Sequence, residues 1–470
     1  MTQRRFLTFA AATAIAASAC ANPPAATKSA APATQPPAST SAQPSVSPSA
    51  ATGNELSRAK AGEFKGKTVD VFGQWIDADG KAFDESIKAF RDATGINVIY
   101  SGISNYETVL SVRVEGGLAP DIAQIAQAGT MRTYQAEGKL VALDDVLDAG
   151  QLKKDYSPGF IDAGSVGGKI YGLFYDQNFK SIVWYPVKAF ADKGYAVPKS
   201  YADLQALEQR IVADGGHPWC TTIEHGDVSG WVATDWIEDV LLRTAPVETY
   251  DKWMTHQIPF NDPAVINAAN IVKGMWFTPN YTYGGSTRIN ATWVGDSQTP
   301  MFDKGGPKCW LHKQAAWIPD FWPKDANKQP LYKPGVDSSF FYFPAIDSQY
   351  GNPVLGASDM LVMFNDRPEV RALMQWFATP DSVLSRVETG GFLAANNAVP
   401  QEAYKVYPMS GLAEIARTAT VLRPDASDAM PKAIGGSKGA FLTGMVDWVA
   451  HNGENTDQVF QKIEAAWPAG

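Results

Sequence analysis

Between Lys308 and Pro323 the chain reads KCWLHKQAAWIPDFWP, which sets Trp310, Trp317, Phe321 and Trp322 close to Cys309. Flat rings at that density either fill a core or stack on the apolar faces of a ligand. The sequence carries 14 Trp and 17 Tyr, so the same choice recurs along it. Residues suited to covalent or metal chemistry are not spaced for it. His217, His225, His256, His312 and His451 show no metal-ligand spacing, and HExxH and CxxC are absent. Residues 164–169, GSVGGK, miss the phosphate-loop spacing and read as a hairpin turn. Glu238 and Asp239 are neighbours in a helical pattern, so their side chains point apart and cannot flank one bond. These residue types favour non-covalent binding over catalysis, with no metal and no cofactor.

The two ends of the chain differ in kind. The opening, MTQRRFLTFAAATAIAASAC, has Arg4 and Arg5, then an apolar run too short for a permanent span, then small residues up to Cys20. It reads as an export signal over residues 1–20. Its end resembles a bacterial lipobox with Cys20 as the lipidated residue, although Ala17 stands where Leu is usual. A cleaved secretory peptide is the alternative reading, and Arg4-Arg5 leaves either export route open. Residues 21–64 begin with an Ala/Pro/Ser/Thr stretch that cannot bury a core, so the segment is expected to be a disordered linker. With Cys20 assigned to the signal junction, Cys220 and Cys309 are left outside the cytoplasm, where such a pair is expected to form a disulfide.

The remainder has the composition of an ordinary globular protein, 45% hydrophobic and 19% charged, and its length allows two or three domains. A net charge of −9 gives no basic face for nucleic acid or an anionic membrane. TVDVFGQW reads as a strand from Thr68, and KAFDESIKAFRDATG as a helix closed by Gly95. INVIYSG and PDIAQIA are further strands, with NYETVLSVRVEGG as a helix between them. This alternation predicts a parallel, doubly wound α/β sheet. From Tyr201 the chain becomes helix-rich, and strand character returns at SFFYFPAI and DMLVMFN.

From Thr68 onward the sequence resembles the extracellular solute-binding proteins of ATP-binding cassette sugar importers. The type is that of maltose-binding protein, nearest to the α-glucoside binders. The blocks that carry the resemblance are KAFDESIKAFRDATGINVIY, RVEGGLAPDIAQIAQAG, EGKLVALDDV, GGKIYGLFYDQNFKSIVWY, GWVATDWIEDVLLRTAPVETYDKW, GASDMLVMF and RPDASDAMP. The resemblance implies a two-lobe periplasmic-binding-protein fold with hinge crossovers and a ligand cleft between the lobes. Lobe one would hold 66–179 and 357–396, lobe two 180–356 and 397–470. The cleft would lie at the carboxyl ends of the strands.

A sugar offers apolar C–H faces and a rim of hydroxyls, so its binder needs flat rings and planar polar groups. Trp75, Trp231 and Trp317 are the candidate rings, and Trp310, Phe321 and Trp322 are assigned to packing. Asp77, Gln127, Asn178, Asp235, Asp296, Ser358, Asp359, Arg423 and Asp425 are the candidate polar contacts. For each carboxylate a helix cap or surface charge is the competing role, Asp428 included. The implied function is a monomeric, lipid-anchored receptor on the outer face of a bacterial cell membrane. It would deliver an oligosaccharide to permease subunits and touch the membrane through its lipid alone. A secreted glycan-active enzyme and a receptor for a non-sugar solute remain the alternatives. Maltose, trehalose, sucrose, longer α-glucosides and β-linked glycans all fit the expected site.

Overall fold

The structure, a computed structural model, describes residues 54–468; the signal-like segment, Cys20 and most of the linker lie outside them. In chain order the strands are β1 (Thr68–Gly73), β2 (Asn97–Gly102), β3 (Ile122–Ile125), β4 (Ser165–Val166), β5 (Lys169–Ile170), β6 (Gly172–Phe174) and β7 (Asn178–Phe179). They continue as β8 (Ile182–Pro186), β9 (His217–Trp219), β10 (Cys309–Lys313), β11 (Ser338–Tyr342), β12 (Pro353–Ala357), β13 (Met360–Met363) and β14 (Val421–Pro424).

One sheet has the order β2-β1-β3-β13-β6. β1 runs parallel to β2 and β3, but β13 is antiparallel to both β3 and β6. The expected parallel sheet is therefore correct for three strands and wrong for the other two. β13 arrives from a crossing segment rather than a strand–helix–strand unit, so no right-handed crossover forces it parallel. Residues 164–169 form the expected hairpin, β4 pairing with β5 across Gly167 and Gly168, at φ 58° and 78°.

A hydrophobic core covers this sheet. The helix Asp77–Thr94 buries Phe83, Ile87 and Phe90 on one face and ends at Gly95, φ 68°. The core takes residues from Ala59 to Tyr175 and from Met360 to Ala403. The linker expected over residues 21–64 is contradicted over 54–64, the part that the structure describes. The helix Glu55–Lys60 packs on the helix Pro368–Phe377, with the Leu56 N–H donating to Gln375 Oε1 at 2.7 Å. Ala59 and Phe64 are buried there.

A second sheet, β11-β8-β10-β9, carries the other core, which includes Trp219, Trp236, Trp253, Trp276 and Trp448, all buried. The stretch that begins at Lys308 supplies β10. Trp310 and Trp322 pack inside as expected, but Phe321 is 41% exposed. Cys220 and Cys309 form the expected disulfide, with Cα atoms 5.3 Å apart. The segments that connect the two cores run side by side in a third sheet, β14-β12-β7. No helix among the described residues is long and apolar enough to cross a membrane.

Candidate functional site

The first sheet brings together the ends of β1 and β3 and the start of β13. Gly73 ends β1 because a methyl there would come within 2.3 Å of Gln124 Oε1. That close approach lets Gln124 Oε1 accept from the Gln74 N–H at 3.1 Å. Asp359 then accepts from Gln74 Nε2 at 2.6 Å and from Gln124 Nε2 at 2.8 Å. The Asp359 N–H donates to Asp176 Oδ1 at 2.7 Å, Ser358 Oγ donates to the Asp176 carbonyl, and Asn178 Nδ2 donates to Asp176 Oδ2 at 3.1 Å. Three candidates, Asn178, Ser358 and Asp359, therefore meet on Asp176. Burial pushes the Asp359 carboxyl up to about 6, against the two amide bonds that favour its charged form.

In the second lobe, Gly230 opens the helix Trp231–Leu241 at φ 109°, where a methyl would lie 2.2 Å from the Leu442 carbonyl. That contact fixes Trp231, whose ring lies 5.9 Å from Trp317 at 47°. Trp231 Nε1 donates to His225 Nδ1 at 3.0 Å, and Lys180 Nζ lies 5.0 Å from the Trp231 ring centroid. Lys180 also donates to Asp235 at 2.7 Å and Asp425 at 2.6 Å. Burial alone would lower the Lys180 ammonium, but Asp235 and Asp425 outweigh it and hold it well above its ordinary value. Asp425, not Asp428, caps the short helix Ala426–Ala429, its Oδ1 accepting from the Ser427 N–H. The rings continue past Trp317 to Phe321 at 5.5 Å and Trp293 at 5.4 Å.

The lobes touch each other beside these groups. A methyl on Gly129 would come within 2.1 Å of the Met430 carbonyl, and Arg132 donates to the Ala429 carbonyl. Gln127 turns toward lobe one, its Nε2 donating to Glu107 Oε1 at 2.6 Å. Both line a cavity of about 250 Å³ that Lys432 and Ser437 close from the other side. Burial raises the Glu107 carboxyl there.

The other candidates are placed differently. Trp75 is 8% exposed and makes its ring contacts with Phe83, Tyr175 and Phe392, inside the lobe-one core. Arg423 is engaged by Asp251 at 2.6 and 2.9 Å. Asp296 is exposed and offers its backbone carbonyl to Arg288. Asp77 is exposed at the start of its helix, at φ 49°.

Sequence reasoning passed over Lys180, Asp176, Gln74, Gln124 and Glu107. A usable signal existed for two of them: Lys180 interrupts an apolar run in NFKSIVWY, and Gln124 interrupts the buried strand IAQI. Residues 435–439, GGSKG, also spell G-x-S-x-G, but Ser437 follows the helix Lys432–Gly435 and not a strand, so it is no nucleophile elbow. Among the described residues no cluster of three or more His, Cys, Asp or Glu could hold a metal ion.

Residues 75–383 match the family described as bacterial extracellular solute-binding protein. The chain is 37% identical over 402 residues to the osmoprotective compounds-binding protein GgtB of Synechocystis sp., covering 86% of this chain and 93% of the relative. It is 37% identical over 419 residues to the alpha-glucosides-binding periplasmic protein AglE of Rhizobium meliloti, covering 87% and 88%. A solved chitin oligosaccharide binding protein aligns with TM-score 0.67 at 18% identity, covering 85% of this chain and 97% of its own. The cyclic alpha-maltosyl-1,6-maltose binding protein from Arthrobacter globiformis aligns with TM-score 0.62 at 18% identity, with the same coverage. The fold is the two-lobe α/β periplasmic-binding-protein fold of the maltose-binding type. The chain belongs to the bacterial extracellular solute-binding protein family.

Proposed function

We propose that this protein is an exported receptor that holds an α-linked oligosaccharide between its lobes and passes it, unaltered, to the permease of an ATP-binding cassette importer. One observation carries the reading. The Trp231 and Trp317 rings lie side by side, while Asp359, Ser358 and Asn178 gather polar groups at the strand ends of lobe one. Rings of that kind suit sugar C–H faces, and carboxylate and amide groups suit hydroxyls. AglE, a relative over most of both chains, is named for binding alpha-glucosides.

In this reading the lobes are 66–179 with 357–396 and 180–356 with 397–470, and ligand contacts to both shift an open-to-closed equilibrium. Trp231 and Trp317 stack on the sugar, and Gln127, Asn178, Ser358 and Asp359 meet hydroxyls, with Asp77 at the rim. Asp235 and Asp425 act through Lys180, which they hold against Trp231. Trp75 supports the lobe-one wall from within. Asp296 and Arg423 belong to the outer edge of lobe two. The protein is a monomer, made without cofactor or metal, and is tethered to the outer face of the membrane through lipidated Cys20. A thermal-shift panel tests the reading. A bound sugar at 100 times its dissociation constant stabilises by about 2.7 kcal/mol. Maltose, trehalose or sucrose should raise the melting temperature, and amino acids and polyamines should not. Stabilisation by the latter alone would overturn it.

A further inference from the structure

We infer that His225 is a positioning residue for Trp231, so that sugar binding requires His225 uncharged and weakens as it takes up a proton. This inference rests on the sugar-receptor reading and deepens it at one wall of the same cleft. Trp231 Nε1 donates to His225 Nδ1 at 3.0 Å, the one acceptor the indole finds among the described residues. An indole N–H can only donate, so Nδ1 must accept and the imidazole proton must sit on Nε2. A protonated imidazole carries a hydrogen on both nitrogens. The bond would then set one N–H against another.

His225 is itself held in place. Gly226 turns the chain at φ 56°, the His225 N–H donates to Ser229 Oγ at 2.8 Å, and Ser229 Oγ donates to the Gly226 carbonyl at 2.8 Å. The loop closes where the Gly230 N–H donates to the Ile223 carbonyl at 3.0 Å. Acceptor and ring thus stand on one closed loop, six residues apart. The other neighbours of the ring are Trp317, 5.9 Å between centroids, and the Lys180 ammonium, 5.0 Å from the centroid. Neither takes the indole N–H, so the bond to His225 fixes the direction in which that edge points. A ring that stacks on sugar C–H faces depends on that direction, because stacking requires one plane.

The charges around His225 are named readily. Glu224 precedes it, and Asp227 is paired with Lys438 at 3.2 Å. Lys180 lies across the Trp231 ring, bonded to Asp235 and Asp425. The segment that pairs with Glu224 leads to Asp296, whose carbonyl Arg288 engages, and the turn after Trp317 holds Asp320. His225 is exposed, so protons reach it from solvent. What burial its ring has outweighs Glu224 and lowers the imidazole from its ordinary 6.5. A sugar that holds Trp231 in its stacking plane favours neutral His225 further, so the value in the complex lies below that of the free protein. Binding then expels the Nδ1 proton to solvent. Affinity is full at pH 7.5 and is lost as the pH falls through the free-protein value, below 6.5.

The test titrates the full chain by calorimetry with maltose, trehalose, sucrose and maltotriose at pH 7.5. The sugar that binds most tightly is then followed down to pH 5, with circular dichroism to show that each chain is folded there. Asp359 and Asp320, both pushed up to about 6 by burial, titrate in the same range, so variants decide the assignment. His225→Asn keeps an acceptor oxygen where Nδ1 stood and takes up no proton. Between pH 7.5 and pH 5 the wild type should lose about fivefold more affinity than His225→Asn, the size of one hydrogen bond. Trp231→Phe, which has no N–H to place, should show the same flattened profile as His225→Asn. His225→Ala removes the acceptor and should bind more weakly at pH 7.5 than His225→Asn. Near pH 6 the wild type should release a proton on binding that His225→Asn does not, read in buffers of different ionisation enthalpy. Matching pH profiles and proton release in wild type and His225→Asn overturn the inference and leave the sugar-receptor reading intact. If none of the four sugars binds the wild type at pH 7.5, the receptor reading fails and the role of His225 fails with it.

Discussion

Replacing Lys180 by Met removes one buried charge and keeps most of the side-chain volume. In the native protein Lys180 bonds Asp235 and Asp425 at 2.7 and 2.6 Å, and the two acid side chains are 4% and 3% exposed. Removing the shared cation leaves two carboxylates facing each other away from water. Breaking a buried ion pair in this way costs about 3–5 kcal/mol. Unfolding entropy of about 2.1 cal/mol/K per residue, over roughly 400 residues, turns that cost into a fall in melting temperature of about 4–6 °C. The pH dependence provides the sharper check. In the wild type Asp425 is held well below the usual carboxylate range: burial opposes this, and Lys180 chiefly overcomes it. A lowered native value contributes stability above the unfolded value of about 3.9 that is lost as the pH falls. Burial already holds Asp235 above the usual carboxylate range in the wild type, and in Lys180→Met Asp425 loses its cation and is raised as well, so the penalty is full near neutrality and fades as the acids take up protons. Melting followed by circular dichroism from pH 3.5 to 8 should show the gap widest above pH 6 and narrowing as the pH falls toward 3.5, without closing there. A Lys180→Met protein as stable as wild type at pH 7, or a gap independent of pH, would refute the role given to Lys180.

Other perturbations have equally definite outcomes. Trp317→Ala or Trp231→Ala should weaken sugar binding by about 1–3 kcal/mol, the value of one buried aromatic contact, as read by titration calorimetry; unchanged affinity in both removes them from the site. Changing Cys220 and Cys309 together to Ser opens a loop of sequence separation 89, and loop-closure entropy puts the loss at roughly 4–5 kcal/mol in chemical denaturation. Equal midpoints for the two proteins would show that the bond is not formed in solution. Glu208, which accepts from Trp219 Nε1 at 2.7 Å, is pushed up to about 7 by burial. A raised native value means stability that is full below the unfolded value of about 4.3 and is lost as the pH climbs through 7. Glu208→Gln should therefore gain on the wild type between pH 5 and pH 8, and a constant difference across that range would contradict the assignment.

The first βαβαβ run was legible because local pattern and tertiary role agree there. Phe83, Ile87 and Phe90 repeat at helical spacing, and Gly95 does end the helix. The helix-rich reading from Tyr201 holds in the helix Pro263–Phe277, which begins at Pro. The antiparallel placement of β13 was not legible, since strand direction depends on the route of a chain that leaves one lobe and returns. KCWLHK was noted for its rings and not as a strand, because its aromatic and charged residues obscure a pattern in which all five β10 residues are buried. At the site, Trp231 and Trp317 could be singled out, but their adjacency spans 86 positions and only folding creates it. Trp75 illustrates the limit. Its position after β1 points to the strand ends, yet whether the ring faces ligand or core is decided by Phe83, Tyr175 and Phe392. Arg423 and Asp251 are 172 residues apart, and that partnership left no trace in the local sequence.

The most direct measurement is a calorimetric titration of the purified protein with an α-glucoside panel, followed by recovery and analysis of the sugar. The expected result is saturable, reversible binding at one site per chain, with every glycosidic bond of the recovered sugar intact. Failure of every saccharide to bind, or the appearance of cleaved product, would contradict a receptor that grips a carbohydrate between its lobes.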